Sequence, residues 1–177
     1  MEIDRIKWNQ KYKNIKDNFK PSLIIKRYFN LAKGRVALDI ACGLGRNSIF
    51  LASKGFLVDA VDISDIALKK LKGYKNINTI EADLDSYEIK KDFYDLIICV
   101  NFLNRELFKQ IKNGLKKDGL LIYETFIEDH KNSMNKKYLL KSNELLKSFL
   151  DLNIIYYEEK RVSDNKDLKA FLVAKKI

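Results

Sequence analysis

Val36-Ala37-Leu38-Asp39-Ile40-Ala41-Cys42-Gly43-Leu44-Gly45-Arg46-Asn47-Ser48 is a short apolar run that passes through a glycine turn into a helix-forming stretch. Small residues at such a turn let a ligand approach the backbone, and in an open α/β sheet the crevice at the carboxyl ends of the strands is the usual ligand site. A lone Gly-x-Gly is a weak signal. Its place between a strand and a helix strengthens it, and so do three acidic residues at successive strand ends: Asp39 just before the turn, Asp62 closing the second strand and Asp83 following the third.

Outward from this turn, the chain alternates β-rich apolar runs with amphipathic stretches, the pattern of a mostly parallel sheet covered by helices. Residues 35–41 read as the first strand, followed by a helix from about 46 to 54 that Gly55 closes in the left-handed conformation. Residues 56–62 form the second strand. Ser64 caps a helix with Ile66, Ala67, Leu68 and Leu71 on one face, ending at Gly73, and 77–81 is a short third strand. The unbroken apolar run 94–100 (YDLIICV) suits a central strand buried on both faces. Asn104 is expected to cap a helix bearing Leu107, Phe108, Ile111 and Leu115, and Lys117-Asp118-Gly119 turns into a strand over 120–126. Ser142 opens a helix carrying Leu145, Leu146 and Phe149. The strand-like segments 154–161 and 168–174, joined by Ser163-Asp164-Asn165-Lys166, make a terminal hairpin. The expected fold is α/β and doubly wound, with six or seven strands.

At 177 residues and 46% hydrophobic, the chain has the size of one domain, and a single Pro and seven Gly leave no linker to divide it. No uncharged apolar run reaches the roughly 18 residues of a membrane span, and the start of the chain has no signal-peptide core, so a cytoplasmic protein with no membrane partner is expected. One histidine, His130, and two unpaired cysteines, Cys42 and Cys99, argue against a zinc site or a disulfide framework, and no metal is expected. The formal charge of +10 raises the question of nucleic acid. Its lysines are scattered along helix faces and chain ends, which favours a solvated surface over a binding stripe.

The acidic residues choose the ligand class. A carboxylate at the end of the second strand can accept from a ribose diol, and Asp83 can accept from an adenine amino group. Asp39 is out of place for a dinucleotide, because a carboxylate beneath the glycine turn repels a pyrophosphate. S-adenosyl-L-methionine, with an ammonium, a sulfonium and no phosphate, suits the turn better than NAD.

On these residues the sequence resembles the class I S-adenosylmethionine-dependent methyltransferases, in particular their small tellurite-resistance-like and thiopurine-like members. LDIACGLGRNSIFLA is similar to their cofactor loop, VDAVDIS to their ribose-binding strand end, EADL to their adenine segment, and YDLIICVNFLNRELF with KKDGLLIYETF to their fourth and fifth strands. The resemblance implies a seven-stranded Rossmann-like sheet whose last two strands are the terminal hairpin, and residues 1–31 as a helical cap over the cofactor. It places Asp39, Ala41 and Gly43 near the methionine end, with Asn47 close to its carboxylate. Asp62 and Ile63 would hold ribose and adenine, Asp83 and Leu84 would border the adenine, and Asn101 with Phe102 would lie beneath the sulfonium. Ala41 departs from the pattern, standing where many members carry the loop's first glycine; altered loop packing with retained binding is expected.

Trp8, Tyr12, Ile15 and Phe19 fall at helical spacing and could lay an aromatic stripe over the crevice. WNQKY resembles the segment with which relatives cover the methionine moiety, which makes Tyr12 a cofactor residue. Trp8, Arg105 and Tyr123 are candidates for the acceptor pocket, and Asn101 and Glu124 are further polar groups expected to reach the acceptor from the ends of the fourth and fifth strands. No catalytic residue is assigned, since methyl transfer can proceed by in-line positioning and exclusion of water. His130, in a charged loop, reads as an exposed histidine.

The Asn/Asp-Pro-Pro-aromatic motif of nucleic-acid amino-methyltransferases is absent at Asn101-Phe102-Leu103-Asn104, and neither cysteine has the Pro-Cys context of cytosine C5 chemistry. With little chain outside the sheet, the acceptor is expected to be small: a thiol, a metalloid oxyanion or a metabolite. An RNA-modifying enzyme using the positive charge, a noncatalytic cofactor-binding regulator, and an NAD-linked oxidoreductase with Ser48 in place of its third glycine are the alternatives.

Overall fold

The computed structural model describes residues 2–15, 20–129, 134–162 and 167–177. Phe19, His130 and the turn 163–166 lie outside the described residues. Seven strands form one sheet: β1 (Val36–Ile40), β2 (Leu57–Asp62), β3 (Ile77–Glu81), β4 (Tyr94–Val100), β5 (Leu115–Phe126), β6 (Asn153–Arg161) and β7 (Leu168–Lys175). Their spatial order is β3-β2-β1-β4-β5-β7-β6. β3, β2, β1, β4 and β5 run parallel, while β7 pairs antiparallel with both β5 and β6. This is the doubly wound sheet with a terminal antiparallel pair that the sequence led us to expect.

The sheet is buried on both faces, as the apolar run of β4 requires. On one face, Leu38, Ile97, Leu121 and Leu172 pack with Leu107 and Ile111 of α5 (Leu107–Gly114) and Leu145 of α6 (Glu144–Ser148). On the other, Ala37, Leu96, Ile98 and Ile122 pack with Ile24 and Ile25 of α2 (Leu23–Tyr28) and Leu51 of α3 (Arg46–Ser53). Each strand's side chains alternate between the two clusters, so β1 sends Leu38 and Ile40 one way and Ala37 the other.

Several boundaries move, for local reasons. Ser64 caps α4 (Asp65–Lys69) as expected, its Oγ accepting from the Ala67 amide at 3.2 Å, but the α-helix ends well before Gly73. The Lys70, Leu71 and Lys72 amides bond three residues back, to Ala67, Leu68 and Lys69. That tighter winding sets Leu71, 1% exposed, against Gly45. Asn104 caps not the helix proper but the turn before it: its Oδ1 accepts from the Glu106 amide at 3.0 Å, and α5 begins at Leu107. Leu115, expected on that helix, instead opens β5 opposite Tyr94, and Asp118 takes φ 63° before the strand resumes opposite Leu96 at Leu120. Ser142 also lies outside α6, whose first turn follows Asn143 at φ 60°. Gly55 closes α3 in the left-handed region at φ 84°, as read from the sequence.

Candidate functional site

The glycine turn sits at the carboxyl edge of β1. Ala41, Gly43 and Gly45 all have positive φ (55°, 55° and 75°). Glycine adopts this region freely, whereas a Cβ costs about 1–2 kcal/mol there. Ala41 therefore carries a strain that glycine at its position would not. At the other two positions, space as well as conformation demands glycine. A Cβ on Gly43 would lie 2.8 Å from Tyr12 Oη, and one on Gly45 would lie 2.2 Å from Leu71 Cδ2.

Two carboxylates flank the turn, both nearly inaccessible. Asp39, 1% exposed, accepts from Ser48 Oγ at 2.6 Å. Burial pushes its carboxyl up to about 7; the neighbouring Asp62 adds to the shift, and the Ser48 hydroxyl and the charge of Arg46 oppose it. Asp62, 5% exposed, accepts from the Gly43 amide at 2.8 Å and the Ser64 amide at 2.9 Å. Its carboxyl is also raised by burial, against the pull of the Ser64, Gly43 and Ile63 amides. Among the described residues neither carboxylate forms an ion pair with a lysine or arginine. The two buried thiols are raised as well, Cys99 to about 12, chiefly by burial, so neither is a ready nucleophile at neutral pH.

The N-terminal helix α1 (Glu2–Asn14) lies across this turn, with none of its residues buried. Tyr12 reaches Gly43, and Asn9 donates to Asp65 Oδ1 at 2.8 Å and accepts from Ser64 Oγ at 2.5 Å. Tyr12 is half-buried, and the loss of solvent around its hydroxyl, together with the nearby carboxylates of Asp62 and Asp39, holds it well above its ordinary range, so it is a neutral hydrogen-bonding group. Trp8 stacks on Tyr12 with ring centroids 5.6 Å apart. The expected aromatic stripe stops there, because Ile15 lies beyond the helix and is 38% exposed.

Beyond Asp62 a cavity of about 330 Å³ opens between α1 and the ends of β2 and β3, lined by Glu2, Arg5, Ile63, Glu81, Ala82 and Asp83. Asp83 turns one carboxylate oxygen to the Asp85 amide at 3.0 Å, and Leu84 packs into the core. The structure thus gathers Tyr12, Asp39, Ala41, Gly43, Asp62, Ile63 and Asp83 along one crevice.

Asn47, Asn101 and Phe102 bound its other side. Asn47 Oδ1 accepts from the Ser22 amide at 3.0 Å, and Ser22 Oγ in turn donates to Glu124 Oε2. Lys169 Nζ donates to Glu124 Oε1 and to Asn101 Oδ1, each at 2.7 Å. Asn101 itself has φ 60°, and Phe102 is half-buried with its carbonyl accepting from Tyr123 Oη at 3.1 Å. Sequence reasoning read Glu124 as a polar group reaching the acceptor, whereas the structure ties it to Lys169 and Ser22; it missed Lys169, although the signal was present. Leu120, Ile122 and Glu124 share one face of β5, and Lys169, Phe171 and Val173 share one face of β7, so each charge occupies a core-facing position.

Two expected pocket residues are placed elsewhere. Arg105 is spent on a clamp: Nε and Nη2 donate to the two carboxylate oxygens of Glu144 at 2.5 and 3.0 Å, and Nη1 and Nη2 to the carbonyls of Lys137 and Leu139. Tyr123 is fully buried among Phe108 and Phe149. Tyr123 lies within β5 on the face that packs α5 and α6, and Arg105 lies in the turn between β4 and α5.

Comparison with known proteins agrees with this geometry. Residues 37–119 match the family model described as a methyltransferase domain. A Bacillus subtilis protein named as a methyltransferase, YqeM, is 33% identical over 105 residues, which cover 52% of this chain and 42% of that protein. Haemophilus influenzae TehB, named as a probable S-adenosyl-L-methionine-dependent methyltransferase, is 27% identical over 69% of this chain and 47% of its own length. The crystal structure of TehB superposes with a TM-score of 0.75 at 21% identity, covering 98% of this chain and 67% of that one. The Burkholderia thailandensis 1,6-didemethyltoxoflavin-N1-methyltransferase, solved with bound 1,6-didemethyltoxoflavin and S-adenosylhomocysteine, also gives a TM-score of 0.75, at 13% identity over 98% of this chain and 86% of that one. The chain spans less than half the length of the curated relatives it matches. The likeness to class I S-adenosylmethionine-dependent methyltransferases, TehB among them, holds for both sequence and fold.

Proposed function

We propose that this chain transfers a methyl group from S-adenosyl-L-methionine to a small-molecule acceptor. The observation that carries the reading is a pair of buried carboxylates, Asp39 and Asp62, that form no ion pair among the described residues and lie beside the left-handed turn 41–45. A phosphate would be repelled there, whereas an ammonium and a sulfonium would relieve both charges. The order of residues along the crevice suits the cofactor: Asp39, Ala41 and Gly43 for the methionine end, with Asn47 buried behind them, Asp62 and Ile63 for the ribose, and Asp83 for the purine, with Leu84 in the core behind it.

The cofactor would supply the electrophilic methyl carbon. The chain's own residues bind and orient it, exclude water and leave the acceptor a path on the side of Asn101 and Phe102. α1 covers the methionine end through Tyr12, with Trp8 stacked outside it. The Lys169–Glu124 pair fixes the Asn101 side chain, so the group expected beneath the sulfonium is held by a buried ion pair rather than by solvent. No general base is needed for an acceptor that arrives deprotonated.

Among the described residues no helix is long and apolar enough to cross a membrane. Two buried free cysteines suit a reducing compartment, so we place the reaction in the cytoplasm.

The test is isothermal titration with S-adenosylmethionine, S-adenosylhomocysteine and NAD, using wild type and Asp62→Asn. The expected result is binding of the first two, weakened about ten-fold or more by loss of the buried charge. Binding of NAD alone overturns the reading. Transfer of labelled methyl groups to a small-molecule extract separates an enzyme from a cofactor-binding regulator.

A further inference from the structure

α1 has no continuous apolar face and buries none of its residues, so core packing does not explain where it lies. Its contacts with the crevice do. Arg5, Asn9 and Tyr12 stand at positions i, i+4 and i+7, one face of a helix. At 1.5 Å per residue they span about 10 Å. That face tracks the crevice: Tyr12 at Gly43, Asn9 at Ser64 and Asp65, and Arg5 over the far cavity, its Nη1 3.8 Å from Glu81 Oε1. The aromatic spacing that draws the eye in the sequence is therefore only half of what the helix presents.

The cavity under Arg5 has a definite chemistry. Ile63 and Ala82 give it an apolar surface, Glu2, Glu81 and Asp83 are hydrogen-bond acceptors, and Arg5 is the one cation among the described residues that line it. Three carboxylates against one guanidinium repel an anion. A flat, partly apolar ring with an exocyclic amine satisfies both kinds of wall. A guanidinium stacks on such a ring better than an ammonium does, being planar, delocalised and weakly hydrated.

We propose that Arg5 is a cofactor-contacting residue that closes over the purine of S-adenosylmethionine, making α1 a clamp that reads the nucleoside half of the cofactor as well as the methionine half. This rests on the cofactor assignment above. Arg5 already bonds Glu2 Oε1 at 2.8 Å on its own helix and approaches Glu81 across the cavity, so the guanidinium is held over the opening before any ligand arrives. Both partners are exposed, and such pairs hold weakly enough to yield to a ring.

The test is titration of wild type, Arg5→Ala and Arg5→Lys with S-adenosylhomocysteine and with 5′-methylthioadenosine, which keeps the purine and lacks the amino-acid portion. The expected result is a loss of about three- to thirty-fold for both ligands in Arg5→Ala. Arg5→Lys should fail to restore it, because an ammonium keeps the charge and loses the plane. Urea midpoints should be unchanged, since the side chain is exposed. Equal affinity in wild type and Arg5→Ala overturns the role of Arg5 and leaves the cofactor reading standing; recovery in Arg5→Lys overturns ring stacking. Failure of wild type to bind either ligand overturns the cofactor reading, and the clamp with it.

Discussion

The two ends of the sheet treat their carboxylates differently. Near the amino ends of the strands, Asp59 accepts from Asn78, Tyr94 and Lys90, and Asp95 accepts from Lys116 Nζ at 3.0 Å and the Val36 amide at 2.9 Å. Burial works against the Asp59 charge, yet those donors win and hold its carboxyl below the usual range. At the carboxyl ends, Asp39 and Asp62 are more deeply buried, have only a hydroxyl and backbone amides for donors, and are raised. The same residue type in the same sheet is thus satisfied at one end and left in need of a cation at the other. A fold that stabilised only itself would pair all four.

The largest way to break this contrast is at Glu124, a buried carboxylate of the site side that does have a lysine. Lys169→Met strands the Glu124 charge in the sheet, and a loss of about 3–5 kcal/mol in urea unfolding is expected. The double variant Lys169→Met/Glu124→Gln should recover most of it. Full stability of the single variant would mean that the pair does not hold this edge together.

Asp39 gives the next effect, and it depends on pH. Its folded carboxyl is raised from 3.8 to about 7. Between those values the folded state binds more protons than the unfolded chain, so stability falls as pH rises from about 4 to about 7 and is level above. The ligand-free protein should lose up to about 4 kcal/mol across that window. Asp39→Asn should remove this slope; an unchanged slope would place the titration elsewhere.

Ala41→Gly sharpens the same contrast from the backbone. Relieving a left-handed alanine is worth about 1–2 kcal/mol, partly offset by the greater freedom of glycine when unfolded, so a net gain of about 0.5–1 kcal/mol is expected in the urea midpoint. The smallest effect belongs to the amino end: Lys90→Met removes a half-exposed lysine from a carboxylate that keeps two other donors, and should cost about 0.5 kcal/mol or less.

Much of this was legible in the sequence because it is local. The strand, glycine turn and helix of 36–48, the apolar run of β4 and the carboxylates at strand ends can each be read from a few neighbouring residues. What was not legible depends on distant partners. Arg105 looked free because Glu144 and the Leu139 carbonyl are far along the chain, and Lys169 meets Glu124 only through the antiparallel register, in which Lys169 faces Phe126 and Glu124 faces Phe171. The start of β5 and the early end of α4 were missed for a related reason: a left-handed Asp118 and a tight turn toward Gly45 override helical periodicity.

The most direct test of a carboxyl edge built for a cation is S-adenosylmethionine binding at pH about 5.5 and about 7, below the range in which the ligand's own amino group titrates. Because the ligand's positive charges should draw the proton off Asp39, wild type should bind several-fold more tightly at the higher pH, and Asp39→Asn should show no such change. Affinity that is independent of pH in wild type, or no binding at either pH, would contradict the account.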